Sequence, residues 1–132
     1  MNINLHKIDN IAFLIGRSLL GLYFLIPGIS KIIAYSATLA SMNLKGVFLS
    51  EIALPLTIAI QIVFSISLLM NKYLRISSLI LCGLTLLINL YMHDFWNLNG
   101  DPSQGHELQN FIKNLGIVAG LLILSTKEKH VS

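Results

Sequence analysis

Four long apolar runs, separated by short polar stretches, dominate the pattern of the chain. The first covers residues 11–33 and is interrupted only by Arg17, Ser18, Ser30 and Lys31. As a helix rising 1.5 Å per residue it reaches about 34 Å, enough for a hydrocarbon core of roughly 30 Å. Pro27-Gly28 predicts a kink in its outer part. A second run, 51–70, carries Pro55 in its first turns and Gln61 near its middle. Asn71-Lys72-Tyr73 leaves almost no loop before a third run at 74–92, so these two form a tight antiparallel hairpin. Residues 94–106 are rich in Asn, Gly, Asp, Pro, Ser and Gln, the composition of an interfacial loop. The fourth run, 108–124, sits at the lower length limit for a span. Residues 34–50 are mildly apolar and predict a short surface-lying helix. The expected architecture is an all-α, integral membrane four-helix transmembrane bundle, one domain over residues 1–132.

The polar residues inside these runs follow helical spacing. Arg17, Gly21, Phe24, Gly28 and Lys31 recur at steps of three and four, as do Arg75, Ser78, Cys82, Thr85, Asn89 and His93. Such steps place residues along one side of a helix. Lipid cannot satisfy polar groups, so both stripes are expected to face other helices or a narrow polar cavity. Gly116 and Gly120 form a GxxxG on the last run, read here as a packing motif.

Composition narrows the class. The chain of 132 residues is 55% hydrophobic and 11% charged, against about 25% charged in soluble domains. The net charge of +3 is spread out, with no basic run or zinc spacing, which excludes a nucleic-acid partner. A single cysteine, Cys82, excludes an internal disulfide or a CxxC redox pair, and its mid-span position suits packing. The first apolar run is too long for a signal-peptide core and is expected to be retained. Four spans put both termini on one side. Lys7, Arg17, Lys72, Arg75, Lys127 and Lys129 fall there, against Lys31, Lys45 and Lys113 opposite, which predicts cytoplasmic termini in a multi-pass inner membrane protein.

Candidate chemistry gathers where the third run stops, at Tyr91-Met92-His93-Asp94-Phe95-Trp96-Asn97. Antiparallel connectivity brings Lys31, Glu51, His93, Asp94, Glu107 and Asn114 to this outer face. Lys31 is expected to pair with Asp94 or Glu51. These groups form either a capping network or a shallow pocket. In a pocket His93 and Asp94 would be catalytic, His93 moving a proton, while Lys31 and Asn114 bind a carbonyl or anion. Trp96, with Tyr91 and Phe95, is an interface anchor or a stacking platform for a ring ligand. Arg17 either snorkels to headgroups or donates inside the bundle, to a quinone carbonyl, a lipid phosphate or a partner carboxylate. No acid lies deep in the other runs to neutralise it. Haem is disfavoured because His6 and His130 lie on the opposite side from His93 and His106. His93, His106, Asp94 and Asp101 match no structural zinc spacing, so no metal site is expected.

At these residues the chain resembles the DoxX-like family of small membrane proteins. The resemblance rests on Gly16-Arg17-Ser18-Leu19-Leu20-Gly21, Gly28-Ile29-Ser30-Lys31, His93-Asp94-Phe95-Trp96 and Phe111-Ile112-Lys113-Asn114-Leu115-Gly116. It covers roughly residues 11–124 and implies four transmembrane helices. It further implies a small subunit of a quinone-linked redox system, or a membrane partner of proteins handling oxidative and thiol stress. Two expectations follow. One is a redox-associated subunit whose Arg17, Lys31, Trp96 and Asn114 hold a quinone or outer-face substrate beside His93 and Asp94. The other is a non-catalytic scaffold or assembly subunit, joined in the bilayer to another membrane or redox protein or to itself.

Overall fold

The computed structural model describes residues 4–127 and is all-helical over that range. Helix α1 spans Leu5–Ile33, α2 Tyr35–Leu44, α3 Ser50–Met70, α4 Leu74–Met92 and α5 Gln104–Ser125, with a 3-10 turn at Phe95–Asn97. Four of these, α1, α3, α4 and α5, are long and apolar enough to cross a membrane. The short α2 fills the segment between the first two apolar runs and buries none of its residues. Lys129 and His130, used above in reading the side of the termini, lie outside the described residues.

Helix α1 begins six residues before its apolar run. Asn4 explains the early start: its side-chain oxygen accepts from the Lys7 backbone N–H at 3.2 Å, satisfying a donor that the helix leaves open. His6, Lys7 and Asp9 are therefore helical rather than part of a loose tail. Pro27 stands inside the helix, which continues through it to Ile33.

Packing follows the stripes. The buried residues of α1 are Arg17, Gly21, Phe24 and Gly28, four of the five positions read as one face. This face lies mainly against α3, while α4 packs mainly on α5. Glycine is what lets α1 and α3 approach. A Cβ on Gly21 would stand 2.8 Å from the Leu69 side chain and 3.3 Å from the Ser65 carbonyl oxygen, and one on Gly28 3.1 Å from Ile62. On α4 the buried side chains include Ser77, Ser78, Cys82, Thr85 and Asn89, small or hydrogen-bonding groups turned inward. Phe24, Leu68, Leu81, Cys82 and Leu121 meet in one core contributed by all four long helices. In the GxxxG of α5, Gly120 faces Leu20 at ordinary contact distance, and Gly116 faces nothing within 4 Å.

The hairpin between α3 and α4 turns on two left-handed residues, Asn71 at φ 58° and Tyr73 at φ 53°. The Lys72 N–H reaches back to the Ser67 carbonyl at 3.0 Å, closing the last turn of α3. Two further carbonyls of that turn are taken by a side chain from another helix. Arg17 Nη1 donates to Leu68 O at 2.6 Å and to Leu69 O at 2.7 Å. Arg17 is 7% exposed and its Cζ lies 5.5 Å from the Phe13 ring centroid. Its partner is thus the negative end of a helix dipole. No buried acid is needed.

Charge-assisted hydrogen bonds are worth roughly 1.5–3 kcal/mol each. Replacing Arg17 with Met should therefore lower unfolding free energy in detergent by roughly 2–4 kcal/mol, with a smaller loss for Lys. Gly21→Val should cost about 1–3 kcal/mol by forcing α1 off α3.

Candidate functional site

At the end of the bundle away from the termini, a half-open cavity of about 760 Å³ lies between α1, α3, α4 and α5. Lys31, His93 and Asn114, three of the residues singled out in the sequence, line it together with Tyr23, Gln61 and Thr85. The structure does not bring the other three there. Arg17 is fourteen residues before Lys31 on α1, about 21 Å along the helix axis, and caps α3 at the opposite end of the bundle. Asp94 and Trp96 lie beside the cavity, among neighbours of their own.

Asp94 is held by Lys45, whose Nζ donates to Oδ1 at 2.9 Å, and by Asn97, whose Nδ2 donates to Oδ2 at 3.0 Å. The expected pairing of Lys31 with Asp94 or Glu51 does not form. Lys45, in the turn after α2, takes the carboxylate instead because that connection folds back over the end of α4. Ser50 donates to the Asn43 side-chain oxygen, fixing the same connection at the start of α3. Trp96 stacks edge-on against Phe95 at 5.2 Å and Phe111 at 5.8 Å, an aromatic cluster joining the 3-10 turn to α5. Farther along the loop, Asp101 accepts from the backbone and hydroxyl of Ser103, and these bonds hold its carboxyl below the usual carboxylate range.

His93 has a partner the sequence did not suggest. Its Nδ1 lies 2.6 Å from Glu107 Oε2, joining the end of α4 to the first turn of α5. With Nδ1 donating to the carboxylate, Nε2 is the nitrogen free to take a proton. Glu107 thereby orients the one imidazole that, among the described residues, borders the cavity.

Deeper in, three helices share a directed hydrogen-bond chain. The Tyr23 hydroxyl donates to Asn114 Oδ1 at 2.6 Å, Asn114 Nδ2 to Asn89 Oδ1 at 2.9 Å, and Asn89 Nδ2 to the Phe111 carbonyl at 3.1 Å. Asn114 is therefore fixed in orientation by neighbours on α1 and α4. Asn89 is interior to the chain, with both amide atoms engaged.

Gln61 stands apart. It is 3% exposed, borders the cavity, and its Oε1 has no hydrogen-bond donor. A buried acceptor left open in an apolar surrounding costs about 1–3 kcal/mol, so its place here is itself informative. The signal was available in the sequence, since Gln61 is the lone amide in the middle of an apolar run. What the sequence lacked was its partner surface, which comes from α1, α4 and α5. Among the described residues, no three His, Cys, Asp or Glu side chains converge as a metal-ion site.

Truncating the middle of the chain should hurt most. Asn89→Ala orphans two partners and should cost roughly 1–2 kcal/mol of unfolding free energy in detergent. Tyr23→Phe removes only a terminal donor and should cost less than half of that.

Comparison with known proteins accords with this architecture. The DoxX family model matches residues 12–94, well over half of the chain. The inner membrane protein YqjF of Escherichia coli is 29% identical over 119 residues, covering 90% of this chain and 85% of its own length. The inner membrane protein YphA of Escherichia coli is 24% identical over 115 residues, covering 87% and 81%. No solved structure matches the chain. With four helices of spanning length and inner membrane relatives along nearly its whole length, the chain belongs to the DoxX family and is a small multi-pass inner membrane protein.

Proposed function

We propose that the cavity between α1, α3, α4 and α5 binds the head group of a membrane-soluble carbonyl compound, a quinone, and that the protein serves a quinone-linked redox system. The observation that carries this reading is Gln61: a buried amide with an open acceptor on the wall of a cavity of about 760 Å³. That volume lies within the roughly 300–1,000 Å³ of small-molecule sites. The open Oε1 suits the hydroxyl of a quinol, and the amide nitrogen suits the carbonyl of a quinone. Asn114 and Tyr23 form a second polar wall held in one orientation. Lys31 stands at the rim. His93, oriented by Glu107, exchanges protons between the ring and the outer edge.

In this reading the chain binds and orients the ring, and the electrons belong to a partner redox protein. Arg17, Asp94 and Trp96, grouped with the site by sequence, act through architecture: Arg17 caps α3, Asp94 anchors Lys45, and Trp96 packs on α5. We read the chain as one domain with both termini in the cytoplasm. Since Arg17 is engaged with α3, the basic count favouring that side is five against three. A C-terminal alkaline phosphatase fusion should then be inactive and a C-terminal green fluorescent fusion bright; the reverse pattern would overturn the orientation.

Trp96 is the sole tryptophan, so its fluorescence reports binding directly. A short-chain ubiquinone added to the purified protein in detergent should quench it saturably. Gln61→Leu and Asn114→Leu should each weaken binding about tenfold, the value of one hydrogen bond of roughly 1.4 kcal/mol. Quenching that rises linearly, without saturation and equally in all three proteins, would contradict ligand binding and leave the assembly-subunit reading.

A further inference from the structure

A second cavity, about 340 Å³, lies beneath α2 at the same end of the bundle and has a different character. Met42 of α2, Phe48 of the following turn, Leu54 of α3, and Leu87 and Met92 of α4 make it apolar. Among the described residues Lys31 is its only charged lining residue, and Lys31 and Ile88 border both cavities.

Lys31 is a cation without a counter-ion among the described residues. Asp94 is bound to Lys45, Glu107 faces His93, and Glu51 forms no ion pair. An ammonium at a membrane boundary calls for an anion or for water, and here one side of it faces hydrocarbon walls. Its depth is also informative. Lys31 is two residues from the end of α1, at headgroup level for a helix that stops at Ile33. The walls below it come from the first turns of α3 and the last turns of α4, which run inward from that same face. A positive charge at the interface with an apolar slot beneath it matches the polarity of one kind of molecule already present in the bilayer.

We propose that the cavity under α2 is a binding site for an anionic phospholipid, with its phosphate on Lys31 and one acyl chain in the slot between α2, α3 and α4. Charge complementarity selects the head group, since a zwitterionic lipid would bring its own cation to Lys31. The slot selects the chain, since its walls offer contact and little polarity. This site is distinct from the carbonyl-binding cavity, from which Lys31 and Ile88 divide it. Occupancy by lipid would neutralise the cation at the shared wall and brace α2, which has no buried residues of its own.

Native mass spectrometry of the delipidated full-length protein tests this, using phosphatidylglycerol and phosphatidylcholine of matched chains. The wild type should bind one phosphatidylglycerol with about fivefold preference, the size of one lysine–anion contact at a membrane surface. Lys31→Gln should abolish the preference and Lys31→Arg retain it. Thr57→Phe and Met92→Trp, which fill the slot from two helices, should weaken binding of both lipids. Equal binding of the two lipids by the wild type, or a preference surviving Lys31→Gln, would overturn the proposal. So would undiminished binding by both filled variants at wild-type helical content. A protein that binds phosphatidylglycerol as described but shows no saturable quinone quenching keeps this site and loses the other.

Discussion

A backbone carbonyl in hydrocarbon has no water to turn to, and the last turn of any helix leaves several carbonyls without intrahelical partners. In this bundle the end of α3 meets that constraint with a side chain from α1. Arg17 brings two hydrogen bonds to Leu68 and Leu69, and the charge it carries sits at the negative end of the helix. One guanidinium nitrogen thus meets two carbonyls of α3, while the buried Nε has no partner. Since α1 must then lie close along α3, small residues follow: Gly21 and Gly28 stand where a larger side chain would collide.

The opposite end follows a different logic. There the polar groups divide into those that answer one another and those that do not. Lys45 with Asp94, His93 with Glu107, and the chain from Tyr23 through Asn114 and Asn89 to the Phe111 carbonyl tie the helix ends together. Gln61 and Lys31 remain outside this network, one buried with an open acceptor and the other a cation on the wall between two cavities. The paired groups hold the cavities open and fix Asn114 and His93 in orientation on the wall of the larger one, while Gln61 and Lys31 bring groups not engaged in this network.

Much of this was legible in the sequence. The three-and-four spacing picked out the four buried positions of α1, with Lys31 alone of the five left partly exposed, because a membrane helix hides its polar and small groups wherever lipid would otherwise meet them. Extending α1 to Leu5 required seeing Asn4 as a cap, a local signal weaker than the apolar run beside it. Partner choice was harder. Lys45 rather than Lys31 reached Asp94 because the turn after α2 folds over α4, a matter of tertiary path rather than residue type. Arg17 found carbonyls rather than an acid, and backbone partners carry no mark in a sequence. Gln61 was visible as an isolated amide, yet its significance depends on a cavity built by three other helices.

Gln61, deep in α3, faces a cavity that small polar molecules should be able to enter. Cysteine accessibility tests it directly. In a Cys82→Ser background, Gln61→Cys in native membranes is treated with a small water-soluble thiosulfonate, with Val63→Cys on the exposed face of α3 as the lipid-facing control. Labelling at position 61 should stand well above that at 63 and fall with a saturating ligand of the cavity. Labelling at 61 no greater than at 63 would contradict such access.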